Sequence, residues 1–129
     1  MDSAKQIVGF DLVTEEDYSP PISDFLELLL KAKKELGRDK FDLFLHAGES
    51  VSRDNTEMYD AVLLGCKRIG HGFALIKHPS LINIVKKKEV CLEVCPWSNL
   101  CLGYVHDMRT HPARQLLTKG IKCSINPDD

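Results

Sequence analysis

The sequence predicts an α/β fold built on a parallel sheet. Two observations carry this. Short apolar runs recur five times, the first with β-branched residues, and the segments between them carry apolar residues at helical spacing with start and stop signals. Strict βαβα alternation calls for crossover connections, and these give parallel strands with right-handed linkage. The chain has 129 residues and 14.5 kDa, the size of one domain, and at 43% hydrophobic residues it can build a core.

Gln6 to Val13 is the first apolar run and predicts a strand. Pro20 and Pro21 mark the loop after it. Asp24 stands three residues before Glu27, a capping-box pattern. Phe25, Leu28, Leu29, Ala32 and Leu36 then follow helical spacing, and Gly37 closes the helix. Phe41 to Leu45 is the second strand. Asp54 and Glu57 repeat the capping pattern before a helix with Met58, Ala61 and Val62 on one face and Gly65 at its end. Cys66 to Gly70 is a short third strand. Pro79 suits the first turn of a third helix, with Leu81, Ile82 and Val85 apolar and Lys86, Lys87 and Lys88 trailing. Val90 to Val94 is the fourth strand. A longer loop leads to a fourth helix opened by Pro112 and ended by Gly120, and Ile121 to Ile125 is the fifth strand. Two architectures fit this order: a complete five-stranded doubly wound sheet, or a consecutive slice of a (β/α)8 barrel of about 250 residues.

Composition excludes several classes. Net charge is −2 and the pI about 6.2, without the basic stripe that phosphate binding requires, so no nucleic-acid partner is expected. No run approaches 18 apolar residues, so no membrane span is expected, and no signal peptide is visible. Cys66, Cys91, Cys95, Cys101 and Cys123 form no C-x-x-C pair. Cys91 and Cys123 read as buried free thiols rather than as part of a disulfide framework.

The polar residues cluster by position. His46 and Glu49 (HAGE) follow the second strand, His71 (RIGHG) the third, Cys95, Ser98 and Asn99 (CPWSN) the fourth, and Asp128 and Asp129 (NPDD) the fifth. All fall at the C-terminal ends of strands, where α/β folds carry their sites. Together they could hold a metal and move protons. Singly, each has a plainer role: a hydrogen-bonded histidine, a cap, a solvated loop acid. His78, His106 and His111 read as structural. Glu93, inside the fourth strand, reads as a carboxylate paired with a basic side chain in the core.

HAGE, RIGHG, CPWSN and SINPDD, in this order and spacing, resemble the adenosine deaminase family, a zinc-dependent branch of the amidohydrolase barrels. GFDLVTEED, HAGES, the segment Asp54 to Ala61, GFALIKHP and DMRTHP are similar to its secreted branch, the adenosine-deaminase-related growth factors. The resemblance covers nearly the whole chain. It implies that residues 1–129 are the C-terminal part of a catalytic barrel, roughly strands four to eight. His46 matches a zinc-ligand histidine. Asp128 matches an aspartate that ligates zinc and accepts a hydrogen bond from the attacking water. Glu49 matches the acid that protonates purine N1, His71 the histidine that orients or deprotonates the water, and Asp129 the residue that bonds purine N7. The implied cofactor is zinc, which lowers the pKa of bound water toward about 7. The implied reaction is deamination of adenosine or 2′-deoxyadenosine to inosine or its deoxy form. Glu49 must then be protonated with substrate bound, and burial and neighbouring carboxylates act in that direction.

Three departures accompany the resemblance. The family takes two more zinc ligands from an H-x-H motif, and none occurs in this chain. Thr14 stands where the family has a glycine whose N–H faces purine N3. The chain ends at Asp129, before the helix expected after strand eight. These 129 residues alone are therefore expected to be inactive, and five strands alone cannot close such a barrel. The parent is expected to be a secreted homodimer. A non-catalytic remnant or partner-binding piece is the alternative, as is another purine deaminase or aminohydrolase of the same barrel. A flavodoxin-like module would need a phosphate-cradling loop after the first strand, where Thr14 to Asp17 (TEED) is acidic.

Overall fold

Each apolar run of the sequence pairs with the next in line. The structure, a computed structural model, describes residues 7–37, 41–51 and 56–128. Its strands are β1 (Gly9–Phe10), β2 (Asp42–Ala47), β3 (Arg68–His71), β4 (Cys91–Val94) and β5 (Lys122–Ile125). They form one sheet in the order β1-β2-β3-β4-β5, and every pairing is parallel. The helices are α1 (Leu26–Leu36), α2 (Glu57–Leu64), α3 (Pro79–Lys87), α4 (Pro96–Cys101) and α5 (Ala113–Thr118).

Side chains of a strand alternate between its two faces, and the burial pattern of β2 follows that period. Leu43, Leu45 and Ala47 point to one face and are buried. They join Ile69, Leu92 and Val94 from the sheet and Met58, Ala61, Val62, Leu81, Val85 and Leu116 from the helices in one core. Asp42, Phe44 and His46 point to the other face and are only half-buried. That second face is polar: Arg68 reaches Glu93 at 3.1 Å and lies 4.5 Å over the Phe44 ring. Glu93 thus has the basic partner its strand position suggested, but on the open face and half-exposed, not in the core.

Several local expectations are corrected. β1 is a two-residue pairing, not a strand from Gln6 to Val13. Gln6 itself lies outside the described residues. As an edge, β1 has one neighbour, and its contact continues only as separate bonds, Asp42 N–H to Val8 O at 3.2 Å and His46 N–H to Leu12 O at 3.1 Å. Asp24 does not cap α1. It lies in a 3-10 turn, Ile22–Phe25, that leads into the helix, and Phe25 occupies the cap position without a side-chain bond. The turn supplies backbone bonds of its own, such as Asp24 N–H to Pro21 O at 3.0 Å. Asp54 lies outside the described residues, and Thr56 at the head of α2 makes no side-chain cap bond. His46 and His71 are the penultimate and last residues of their strands, not loop residues. Cys91 and Cys123 are half-buried, and all five cysteines are free. The Cys66 and Cys123 thiols are pushed by burial up to about 11, so neither forms a thiolate readily at neutral pH.

The segment read as a long loop after β4 contains α4. Pro96 starts it, and its buried Asn99 accepts from His111 Nε2 at 3.0 Å. Ala113 N–H donates to His111 Nδ1, also at 3.0 Å, so the imidazole is neutral with its proton on Nε2. Burial holds His111 below its ordinary 6.5. The unfolded chain then takes up this proton at higher pH than the folded one. The contribution of His111 to stability is full above about pH 6.5 and is lost as pH falls from there toward its lowered folded value. Melting temperature should therefore drop between about pH 7 and pH 5, and His111→Gln should lessen that drop. An unchanged pH dependence in the variant would rule out this linkage.

Candidate active site at the C-terminal rim

Strand parity alone would put His71 on the wrong side. It pairs with Ala47, whose side chain points into the helix-covered core. His71 instead adopts φ 61, and the left-handed backbone turns its ring over the rim. It ends 5.3 Å from the His46 ring, centre to centre, edge to face. Nδ1 of His71 lies 3.4 Å from Glu49 Oε1, and Nε2 lies 3.8 Å from Asp128 Oδ2. Asp128 is itself left-handed, at φ 74. Backbone strain of this kind gathers where the surrounding structure imposes a geometry, functional sites above all. His46, Glu49, His71 and Asp128 thus come together on one rim. Asp129 lies outside the described residues.

The His46 ring rests on Gly70, its neighbour across the β2–β3 pairing. A Cβ at Gly70 would stand 2.6 Å from His46 Cγ and Cδ2. Glycine is thus required here by close approach, and Gly70→Ala must push the imidazole aside. We expect a loss of about 1–3 kcal/mol, the usual cost of overpacking, together with a changed His46 signal in the NMR spectrum. A variant with wild-type melting and an unmoved His46 resonance would show that the ring does not depend on this contact.

Two acids missed in the sequence support this rim. Asp11 Oδ1 lies 3.1 Å from His46 Nδ1 and fixes the ring. Glu16 is buried, and its two oxygens each accept at 2.6 Å, from Gly48 N–H and Ser50 N–H. These amides flank Glu49. Ser50 Oγ donates to Asp17 Oδ1 at 2.5 Å. TEED is thus an acidic clamp on the HAGES loop. Its signal in the sequence was the placing of several acids just after a strand, next to a site strand. The Tyr104 hydroxyl stands beside this acidic group, and burial, then Asp17, push its pKa up. A narrow cleft lined by Leu12, Thr14, Ile22, His46, Ala47 and Glu49 opens alongside. The Thr14 hydroxyl is bonded to that of Ser19, which donates to Glu15 O at 2.6 Å.

The donors fit a zinc ion. Imidazole nitrogen, carboxylate oxygen and thiol sulfur are the ligands zinc takes, and His71, Cys95 and Asp128 offer one such atom each within 4.8 Å of one another. His46 is not in this group, although its ring centre lies 5.3 Å from that of His71. Among the described residues this donor group includes Cys95, which the resemblance did not bring forward as a ligand.

A parallel sheet whose C-terminal rim gathers histidines and carboxylates is the arrangement in which barrel enzymes carry their sites. The chain matches the family model for adenosine deaminase over residues 2–129 and belongs to that family. It is 47% identical over 125 residues to adenosine deaminase 2 of Dictyostelium discoideum, a match covering 95% of this chain and 23% of that protein. Its fold matches the adenine deaminase of Arthrobacter aurescens with a TM-score of 0.81 at 28% identity, over 95% of this chain and 36% of the other. An amidohydrolase from Burkholderia ambifaria solved with bound zinc matches with a TM-score of 0.75 at 22% identity, over 95% and 33%, and shares the fold. The five strands thus correspond to part of a (β/α)8 barrel. The chain spans about a quarter of the length of the curated relative.

Proposed function

We propose that the protein carrying this chain converts adenosine or 2′-deoxyadenosine and water to inosine or its deoxy form and ammonia. The observation that carries this reading is the flanking of His71 by Glu49 at 3.4 Å and Asp128 at 3.8 Å on one rim. It pairs an acid able to donate a proton with a base able to accept one. Zinc, held in part by His46 and Asp128, would supply Lewis-acid activation of water. Glu49 would hold the proton delivered to purine N1, which makes C6 electrophilic. His71 would take a proton from the attacking water and return it to the departing amine. Asp128 would orient that water through its carboxylate, and Asp129 would receive purine N7. The Glu16 clamp fixes where Glu49 stands, and Asp11 fixes His46. Secretion and homodimerisation of the parent belong to the same reading and rest on the resemblance alone.

The protein with a full set of zinc ligands should convert adenosine to inosine, followed as loss of adenosine absorbance. Adenine and AMP offered in parallel separate this reading from the other purine deaminases of the same barrel. Turnover of adenine or AMP but not adenosine would overturn the substrate assignment. The 129 residues alone, which lack an H-x-H pair, should show no useful turnover.

A further inference from the structure

A thiol stands on the rim and has no part in the deamination chemistry. Cys95 follows β4 directly and is buried. Its Sγ lies 3.3 Å from Glu93 O, to which it donates. The sulfur, a His71 nitrogen and an Asp128 oxygen all lie within 4.8 Å of one another. The three come from separate strand ends. His71 and Asp128 arrive by left-handed turns at φ 61 and 74. In a tetrahedral site with bonds of about 2.0–2.3 Å, ligand atoms stand roughly 3.3–3.6 Å apart. His71 Nε2 and Asp128 Oδ2, at 3.8 Å, are already close to that separation. Asp128 is the most exposed of the three and can move to close the remainder.

We propose that His71, Cys95 and Asp128 form a site for a soft divalent cation in which Cys95 supplies a thiolate. Binding replaces the thiol proton by the metal–sulfur bond and releases that proton to solvent. Sulfur with nitrogen and oxygen suits zinc, cadmium or cobalt and disfavours magnesium or calcium. This ligand set differs from the His46 and Asp128 pairing. A cation held here also occupies the imidazole that the proposed reaction uses as a base, so excess soft metal should inhibit the enzyme. The binding itself does not depend on the protein's being a deaminase.

Cobalt(II) tests it, because only a thiolate ligand gives an intense near-ultraviolet charge-transfer band. The reduced 129-residue chain, titrated with cobalt, should develop that band and saturate at one equivalent. Zinc should then displace the cobalt. Cys95→Ser should abolish the band, while Cys101→Ser, which changes the exposed cysteine, should keep it. Should Cys95→Ser fail to fold, His46→Ala, which leaves all three proposed ligands in place, should keep the band, whereas a cation held by the His46 and Asp128 pairing would lose it. The site is refuted if the wild-type chain gives no band, if Cys95→Ser retains it, or if His46→Ala abolishes it.

Discussion

Glu49→Gln, made in the protein that joins this chain to an H-x-H pair, should lower adenosine turnover by about 10²–10⁴-fold, the usual contribution of a general acid. Glutamine is nearly isosteric, so the backbone bonds that Glu16 makes on either side, to Gly48 and Ser50, should persist. What glutamine lacks is a carboxylic proton for purine N1. Glu49 lies 3.4 Å from His71 Nδ1 and is proposed as proton donor and not as a ligand, so zinc content should stay at the parental level. His46→Ala should do the reverse. It removes the nitrogen proposed as a zinc ligand and leaves the Asp11 carboxylate without its partner, so zinc occupancy should fall. Metal analysis beside turnover separates proton transfer from metal binding. Parental turnover by Glu49→Gln would remove Glu49 from the mechanism.

The second large effect is expected at Glu16. Glu16 is 7% exposed, and its carboxylate accepts two hydrogen bonds at 2.6 Å, from the amides of Gly48 and Ser50. Bonds to a charged group contribute about 1.5–3 kcal/mol each, and a buried donor left without an acceptor costs a similar amount. A domain's whole stability is about 5–15 kcal/mol. Glu16→Ala should therefore lower the denaturation midpoint steeply. Glu16→Gln keeps one good acceptor and should fall between. Where either variant folds in the full enzyme, loss of the clamp should lower kcat more than it raises KM, because Glu49 is misplaced for transfer rather than for binding. A Glu16→Ala protein that melts with the wild type would show that the loop is held by other contacts.

The sequence by itself determined the order of strands and helices apart from α4. Runs such as Phe41 to Leu45 and Val90 to Val94 read as strands, and Gly65 and Pro79 stand at helix ends as their chemistry favours. It also determined that the chemistry-bearing residues follow strands and so meet at one edge. What it did not determine was which way they point. His71 has the parity of a core residue, and only its left-handed turn, in contact with Gly72 and the rim, carries it to His46. Asp11 and Glu16 were legible as acids near a strand end, but their partners, His46 Nδ1 and the Gly48 and Ser50 amides, lie more than thirty residues away. α4 escaped because Pro96–Cys101 is short and holds Ser98 and Asn99, weak helix formers whose helical state is fixed by burial and by the Asn99–His111 bond. Local periodicity records what a residue does to its own segment. Contacts between segments, such as Cys95 with His71 and Asp128, exist only once parallel pairing has set the strands side by side.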